Sequence, residues 1–177
     1  MNNTENTSKK TFSTKEITKT ALMAALICLA TFFFKVPTLH GYTHIGDGFI
    51  FIAVYLLGTK KGALAGGIGA ALSDLIGGYA MWVAPTFVIK ALMALTMGAV
   101  AYKVIPELKG RMLIGSIVGG LVQVVLYTLV KIPLYNLEYA LAGIVEMFVQ
   151  SGAGIVIMVI AIAALEKTHL AQKLKEA

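Results

Sequence analysis

The chain has 177 residues, of which 58% are hydrophobic and 14% charged, against about 25% charged in a typical soluble domain. The net charge of +6 comes from basic residues scattered between apolar runs, which argues against a nucleic-acid-binding surface. The single cysteine excludes an intrachain disulfide and a cysteine-based zinc site. The chain is therefore predicted to be an integral membrane protein.

The apolar runs predict one membrane domain with a polar tail at each end. Residues 1–13 are predicted to be a flexible cytoplasmic tail and residues 167–177 a basic cytoplasmic tail. Because each span needs about 20 apolar residues, the domain over 14–166 is predicted to be an all-α bundle of six transmembrane helices with both termini cytoplasmic. The predicted helices are 15–34, 45–57, 63–76, 85–102, 112–130 and 139–165.

Local signals set the boundaries of these helices. Pro37 disfavours helix at the residue before it, so it is predicted to end the first helix and to lead into a loop over 38–43. Pro133 is predicted to end the fifth helix, and a loop follows over 134–138. The third helix is rich in Gly, Ala and Ser, which let helix backbones approach closely in lipid, so it is predicted to be the most buried.

The basic residues predict the orientation, because the cytoplasmic loops of membrane proteins accumulate Lys and Arg. If both termini are cytoplasmic, twelve of the fifteen basic residues fall on that side: Lys9, Lys10, Lys15, Lys19, Lys60, Lys61, Lys103, Lys109, Arg111, Lys167, Lys173 and Lys175. The other three, Lys35, Lys90 and Lys131, fall outside or within the membrane. The sequence therefore predicts a multi-pass protein of the cytoplasmic membrane.

Four charged residues, Asp47, Asp74, Lys90 and Glu146, lie in or beside apolar runs. A charge is costly in hydrocarbon, so a functional cavity is the default hypothesis for such residues. At about 1.5 Å of rise per helical residue, Asp74, Lys90 and Glu146 fall in the outer half of the predicted bundle. The alternatives are a structural ion pair between Lys90 and Glu146 and capping of the second helix by His44 and Asp47.

Two polar stripes point to the same outer cavity. Gln123, Tyr127 and Lys131 are spaced i, i+4 and i+8, so they share one face of the fifth helix. Tyr139, Gly143, Glu146 and Gln150 share one face of the predicted sixth helix by the same rule. The cavity is predicted to have its floor near Gln123 and Gln150, and snorkelling to the outer surface is the alternative interpretation of Lys131.

Aromatic side chains in the adjoining loops complete the predicted site, with Tyr79 and Trp82 as an aromatic lid or, alternatively, as interfacial belt residues. The predicted substrate-binding residues are His40, Tyr42, His44, Asp74, Tyr79, Trp82, Lys90, Gln123, Tyr127, Asn136 and Glu146. The chain has no G-x-x-x-x-G-K-[ST] phosphate loop, no H-E-x-x-H motif and no Ser or Cys nucleophile beside a plausible base. We therefore predict a binding protein rather than an enzyme, with no metal or cofactor.

Two pairs of small residues are spaced i, i+4 on apolar helices. Ala21 and Ala25 lie on the first helix, and Gly115 and Gly119 lie on the fifth. Such a face either packs inside the bundle or docks another membrane subunit. Both interpretations stay open for both pairs.

A set of ordered motifs covers the chain from His44 to Met97. The motifs are HIGDG at 44–48, LLG at 56–58, GALAG at 62–66 and DLIGGY at 74–79, followed by Trp82, Thr86 and Ile89-Lys90. This block resembles the substrate-binding S components of energy-coupling factor (ECF) transporters, and it is most similar to the riboflavin-type and the pyridoxine- or hydroxymethylpyrimidine-type group. The last third of the chain matches mainly in hydropathy.

The resemblance implies a six-helix protein in the cytoplasmic membrane of a prokaryote that captures a vitamin or vitamin precursor from outside. Pyridoxine or hydroxymethylpyrimidine is the first choice of ligand, and riboflavin, pantothenate or another vitamin is the alternative. The implied partners are a transmembrane T component and two ABC-type ATPases, which hydrolyse ATP on separate chains. Ala21 and Ala25 match the family's A-x-x-x-A docking motif.

A different class of function is a stand-alone secondary transporter of a small polar metabolite. In that case Asp74, Lys90 or Glu146 would take part in ion coupling. A membrane enzyme is disfavoured because the catalytic motifs are missing. Transport into vesicles distinguishes the ECF importer from the secondary transporter, since only the importer needs ATP and partner subunits.

Overall fold

The structure is a computed structural model, and it describes residues 13–39 and 41–168, together with 172 and 174. Most of the described chain is helical. The helices are α1 Thr14–Phe33, α2 Gly46–Leu57, α3 Thr59–Ile76, α4 Val83–Ala99, α5 Arg111–Leu134, α6 Leu137–Ala142 and α7 Ile144–Lys167. The strands are β1 Val36–Thr38 and β2 Gly41–Thr43. A 3-10 turn, Ala80–Trp82, precedes α4, and a π-helical turn, Val100–Val104, follows it.

The two predicted tails lie largely outside the described residues, so they stay predictions. The helical domain begins at a capping box formed by Ser13 and Glu16. Ser13 Oγ accepts a hydrogen bond from Glu16 N (3.3 Å), and the Glu16 carboxylate accepts one from Ser13 N (2.9 Å). These bonds satisfy two backbone donors that the first turn would otherwise leave unpaired.

The segment predicted as a loop over 38–43 forms part of a β-hairpin, which the all-α prediction did not include. β1 and β2 are antiparallel, with Pro37 opposite Tyr42 and Val36 opposite Thr43. The β-branched and aromatic residues of this segment favour extended backbone. Pro37 is tolerated because a two-stranded sheet has only edge strands, and Gly41 supplies a positive φ of 134° at the turn.

The fifth helix continues past its predicted end, and the sixth is interrupted. Pro133 lies inside α5; it removes one backbone bond to the carbonyl of Leu129, and α5 continues for only one more residue. Asn136 then caps α6, because its Oδ1 accepts a hydrogen bond from Tyr139 N (2.7 Å). The predicted sixth helix is therefore two helices, α6 and α7, which meet at Gly143.

The third helix was predicted to be the most buried, but α2 is more buried, with eight buried residues of 12 against ten of 18 in α3. The small residues of α3 do pack closely against its neighbours. A Cβ atom added at Gly66 would lie 2.8 Å from Ile50 on α2. A Cβ atom at Gly67 would lie 3.0 Å from the carbonyl oxygen of Phe87 on α4. The glycines therefore let α3 pack directly against two neighbouring backbones, as small residues do in membrane proteins.

Among the described residues, four segments are long and apolar enough to cross a membrane: Thr14–Phe33, Ala80–Val104, Arg111–Leu134 and Leu137–Lys167. α2 is apolar but has only 12 residues. α3 has 18 residues but carries Lys60, Lys61 and Asp74 among many small residues. The four spans agree with a membrane protein, whereas the count of six spans stays a prediction.

The bundle has two chemically different ends. At the first, which we call the hairpin end, β1 and β2 lie against Asp74 in the last turns of α3 and Glu146 at the start of α7. At the second, which we call the basic end, Tyr55 on α2 donates a hydrogen bond to Glu166 on α7 (2.9 Å). The helix ends and connections at the basic end carry Lys15, Lys19, Lys60, Lys61, Lys103, Lys109, Arg111 and Lys167.

Candidate functional site

A cavity of about 140 Å³ lies at the hairpin end of the bundle. It is bounded by β2 and by the ends of α3, α4, α5, α6 and α7. The lining residues are Gly41, Tyr42, His44, Asp74, Tyr79, Trp82, Thr86, Gln123, Tyr127, Lys131, Tyr135, Tyr139, Glu146, Met147 and Gln150. The set combines aromatic rings with amides, carboxylates and one lysine, so the cavity can hold a flat molecule that carries polar groups.

The floor of the cavity rests on a buried ionic network. Lys90 Nζ donates to Asp47 Oδ1 (2.5 Å) and to Gln123 Oε1 (2.5 Å). Gln123 Nε2 donates to Asp47 Oδ2 (2.6 Å) and to Ser151 Oγ (2.5 Å). Gln150 Nε2 also donates to Asp47 Oδ2 (2.9 Å). The network joins α2, α4, α5 and α7, and its two glutamines line the cavity above it.

This network corrects the sequence interpretation of two charged residues. Lys90 pairs with Asp47, so the alternative ion pair between Lys90 and Glu146 does not form. Asp47 and Lys90 are both completely buried and do not line the cavity. Lys90 was predicted to bind substrate, but it lies beneath the floor, where a buried carboxylate needs a cationic partner.

Of the two residues that the sequence suggested as caps of the second helix, only His44 bonds to its first turn. His44 Nδ1 accepts a hydrogen bond from Gly46 N at the start of α2 (3.1 Å). Burial lowers the pKa of His44 to about 3, so the ring is neutral and its proton is on Nε2. The Asp47 carboxylate makes no such cap and instead accepts hydrogen bonds from Lys90, Gln123 and Gln150 across the bundle. α7 approaches this part of α2 closely, since a Cβ added at Gly154 would lie 2.9 Å from Asp47 Cβ.

Aromatic rings form one wall of the cavity. Trp82 contacts Tyr127 with ring centroids 5.8 Å apart, and it stacks on Tyr135 at 6.4 Å with an interplanar angle of 18°. Tyr135 in turn contacts Tyr139 at 4.6 Å. The Tyr127 hydroxyl donates to Thr86 Oγ1 (3.2 Å). These rings offer flat apolar surface, with polar groups at their edges.

The β-hairpin covers the cavity and is tied to two helices. The Tyr42 hydroxyl donates a short hydrogen bond to Asp74 on α3. Thr38 Oγ1 on β1 donates to Glu146 Oε2 on α7 (2.8 Å). Burial and the adjacent Asp74 carboxylate raise the pKa of Tyr42 above its ordinary value, so the phenol keeps the proton that it donates. The hairpin therefore bridges α3 and α7 above the cavity.

A cation reinforces the hairpin on the side of α3. Lys35 Nζ lies 4.3 Å from the ring centroid of Tyr42 and 4.8 Å from that of Tyr79. It also donates to the carbonyl oxygen of Ser73 (3.4 Å). On the opposite side, Lys131 Nζ lies 5.8 Å from the ring of Tyr139. Cation–π contacts of this kind are strengthened where the cation is shielded from water.

Most of the predicted substrate-binding residues meet at the cavity. Those that line it are Tyr42, His44, Asp74, Tyr79, Trp82, Gln123, Tyr127 and Glu146. Lys90 lies beneath the floor, Asn136 is an exposed helix cap outside the lining, and His40 lies outside the described residues. Whether the lining residues bind a ligand stays a prediction.

The structure adds lining residues that the predicted set did not include. Gln150 and Lys131 lie where the helical stripes placed them, although neither was counted among the binding residues. Tyr135 was missed because Pro133 was taken as the end of the helix, which put Tyr135 in a loop. Helical spacing carried past Pro133 would have placed Lys131 and Tyr135 on one face.

The two small-residue pairs differ in their surroundings. Ala21 and Ala25 are both exposed on the outer face of α1, so they do not pack inside the described bundle. Gly115 and Gly119 are buried against α4: an added Cβ would lie 2.6 Å and 2.7 Å from the carbonyl oxygens of Met97 and Met93. Packing is therefore the right interpretation of the glycine pair and the wrong one for the alanine pair.

Residues 11–167 match the model of a protein family described as the ECF-type riboflavin transporter, S component. The chain belongs to this family. S components are the substrate-binding subunits of ECF transporters and are not enzymes. The match covers all of the helices described above, and the resemblance found from the sequence motifs is confirmed.

Two individual proteins are similar to this S component. The chain is 36% identical to an uncharacterized protein of Pyrococcus woesei. The alignment spans 122 residues and covers 69% of this chain and 80% of that protein. It also superposes on the structure of the S component of a bacterial ECF transporter with a TM-score of 0.68. That alignment covers 91% of this chain and 98% of the other, at 21% sequence identity, so it establishes the shared fold.

Proposed function

We propose that this S component binds a single-ring heterocycle with hydroxyl or amino groups, of which pyridoxine and hydroxymethylpyrimidine are examples. The observation that carries the proposal is the small, aromatic-walled cavity that the β-hairpin borders. Its volume of about 140 Å³ is close to that of an engineered cavity of about 150 Å³ that accommodates benzene. Riboflavin, the vitamin in the family's name, has three fused rings and a ribityl chain and would require the cavity to expand.

The polar groups around this cavity suit such a ligand. Trp82, Tyr127 and Tyr139 provide stacking surface for a flat ring, and Asp74 and Glu146 provide acceptors near the hairpin. A site with buried polar groups selects against a ligand that leaves them unpaired. The proposed ligand therefore brings hydroxyl or amino donors at its periphery.

Calorimetry with the purified subunit tests the choice of ligand. Pyridoxine, hydroxymethylpyrimidine and riboflavin are titrated separately into the protein in detergent. We expect one of the single-ring ligands to bind at least about tenfold more tightly than riboflavin, which corresponds to about 1.4 kcal/mol. Tighter binding of riboflavin than of both single-ring compounds would contradict the proposed ligand class.

We further propose that transport requires a T component and two ATPases, because this chain has no phosphate loop of its own. Vesicles containing the S component alone, and vesicles containing all four subunits, are compared for uptake. Uptake is expected only with the partners and ATP. Uptake driven by an ion gradient in vesicles that contain the S component alone would favour the secondary transporter instead.

The proposed orientation places the basic end in the cytoplasm and the cavity outside. In a Cys28→Ala background, a cysteine is introduced at Leu108 or at Ala80, which are exposed at the basic and hairpin ends respectively. An impermeant thiol reagent should label the Leu108 variant only from the cytoplasmic side and the Ala80 variant only from outside. The reverse labelling pattern would invert the proposed topology.

The exposed small-residue face of α1 is proposed to dock the T component. Replacing Ala21 or Ala25 with Trp should reduce assembly and uptake, because a bulky ring prevents close approach of two helices. Affinity for the ligand should stay within about threefold of the parent value, since both positions are far from the cavity. Ala163→Trp, which changes an exposed alanine on α7, is the matched control. Equal assembly of all three variants with the T component would contradict the proposed docking role of Ala21 and Ala25.

A further inference from the structure

The network beneath the cavity fixes the orientation of two side-chain amides. Gln123 lies between a cation and a carboxylate: its Oε1 accepts from Lys90, and its Nε2 donates to Asp47. An ammonium group can only donate hydrogen bonds, and a carboxylate can only accept them. One orientation of the Gln123 amide therefore satisfies both neighbours, and the opposite orientation satisfies neither.

Asp47 constrains Gln150 in the same way. Gln150 Nε2 donates to Asp47 Oδ2 (2.9 Å), which directs Gln150 Oε1 away from the carboxylate. Within the described part of the chain this oxygen has no hydrogen-bond partner, yet it is not among the polar atoms sealed from solvent. Gln150 is only 8% exposed and lines the cavity, so the cavity is the open space available to its carbonyl oxygen.

We propose that Asp47 determines which group of the ligand the cavity floor accepts, although Asp47 itself does not touch the ligand. By holding the Gln150 amide, Asp47 makes the floor a hydrogen-bond acceptor, so the ligand enters with a hydroxyl or N–H donor foremost. The proposal rests on the proposed function, because a ligand must occupy this cavity. An ether or carboxylate at the inner end of the ligand would place two acceptors against each other and leave both unpaired.

Matched ligand pairs test the preference for a donor. Pyridoxine is compared with its mono-O-methyl ethers, hydroxymethylpyrimidine with its methoxymethyl analogue, and riboflavin with 3-methylriboflavin. Each methylation removes one donor and keeps the attached oxygen or nitrogen. For the ligand that binds, we expect loss of the inner donor to weaken binding by about tenfold to a hundredfold. Equal affinity of the parent ligand and every methylated form would overturn the proposal.

The Asp47→Asn variant separates hydrogen bonding from steric effects of the added methyl group. The new amide can accept from or donate to Gln150, so the Gln150 amide can rotate and present its N–H groups to the cavity. We expect the penalty for the methylated ligand to fall to about threefold or less, whereas a purely steric penalty would persist. Persistence of the full penalty in a folded Asp47→Asn variant would overturn the role of Asp47.

Two further variants serve as controls for the comparison of Asp47→Asn with the parent. Asp47→Asn leaves Lys90 buried without an anion, so Asp47→Asn/Lys90→Met is measured beside it to remove the uncompensated charge. Glu16→Gln makes the same change from acid to amide at the basic end, where Glu16 pairs with Lys61 (2.7 Å). This control should keep the parent preference between the paired ligands.

A measurement without ligand distinguishes failure of this proposal from failure of the proposed function. The side-chain amide resonances of Gln150 are recorded by ¹⁵N NMR of the protein in lipid nanodiscs. One Gln150 N–H should be shifted by its bond to a carboxylate in the parent and in Glu16→Gln, and the shift should disappear in Asp47→Asn. An unchanged spectrum in Asp47→Asn would overturn the proposal. If the shift disappears in Asp47→Asn but none of the three ligands binds the parent protein, the proposed function is wrong. The orientation of the Gln150 amide by Asp47 would still be supported.

Discussion

Replacing Lys90 with Met is expected to lower the free energy of unfolding by about 3–5 kcal/mol, the usual cost of removing one partner from a buried ion pair. The reason is that Asp47, which is completely buried, would lose the cation beside it, and either an uncompensated buried charge or the uptake of a proton costs free energy. Gln123 would lose the donor to its Oε1 at the same time. Thermal unfolding in detergent, followed by circular dichroism, measures the change.

A more exposed ion pair provides the matched control. Lys61 and Glu16 are joined at 2.7 Å, but their side chains are 26% and 39% exposed. Lys61→Met should therefore cost no more than about 1 kcal/mol, as is typical of solvated pairs. The double variant Asp47→Asn/Lys90→Met should be more stable than Lys90→Met alone. Equal losses for Lys61→Met and Lys90→Met would contradict a sealed network beneath the cavity.

Replacing Trp82 with Ala is expected to weaken ligand binding by about 1–3 kcal/mol, the cost of losing an aromatic anchor. Trp82 lies between Tyr127 and Tyr135 in the cavity wall, so its removal deletes stacking surface and loosens the neighbouring rings. Calorimetry with whichever of pyridoxine and hydroxymethylpyrimidine binds more tightly measures the loss. Trp82→Phe should retain most of the affinity because a flat ring remains.

Glu146→Gln should weaken binding by a similar amount, because it removes a carboxylate that lines the cavity and accepts from Thr38. Phe148→Ala is the control on the same helix, since Phe148 is 49% exposed on the outside of α7. Its effect on affinity should be within about 0.5 kcal/mol. If Trp82→Ala and Glu146→Gln bind as tightly as Phe148→Ala, the ligand does not occupy this cavity.

Helical periodicity was the reliable part of the sequence. It placed Gln123, Tyr127 and Lys131 on one stripe and Glu146 and Gln150 on another, and all five line the cavity. This worked because side chains spaced i, i+4 must share a face of a helix wherever the helix begins. The close packing of α3 was predictable for a similar reason, since glycines and alanines matter through size alone.

Features that depend on contacts between distant segments were not predictable in the same way. The sequence contains no sign that Asp47 on α2 meets Lys90 on α4, because the two residues are 43 positions apart and their pairing depends on how the two helices pack in space. The hairpin was predicted as a loop because three-residue strands carry almost no periodicity. Pro133 was wrongly predicted to end the fifth helix. Near the end of a helix, proline costs only one backbone hydrogen bond, so the helix can include it.

Trp82 offers the most direct test that a single-ring vitamin occupies the cavity, because it is the only tryptophan in the chain and it lines the site. Its fluorescence is recorded while pyridoxine or hydroxymethylpyrimidine is titrated into the purified subunit, beside calorimetry on the same sample. We expect the emission of Trp82 to change saturably, with the same midpoint as the heat of binding. Calorimetric binding without any change in Trp82 emission would place the ligand elsewhere and contradict the proposed site.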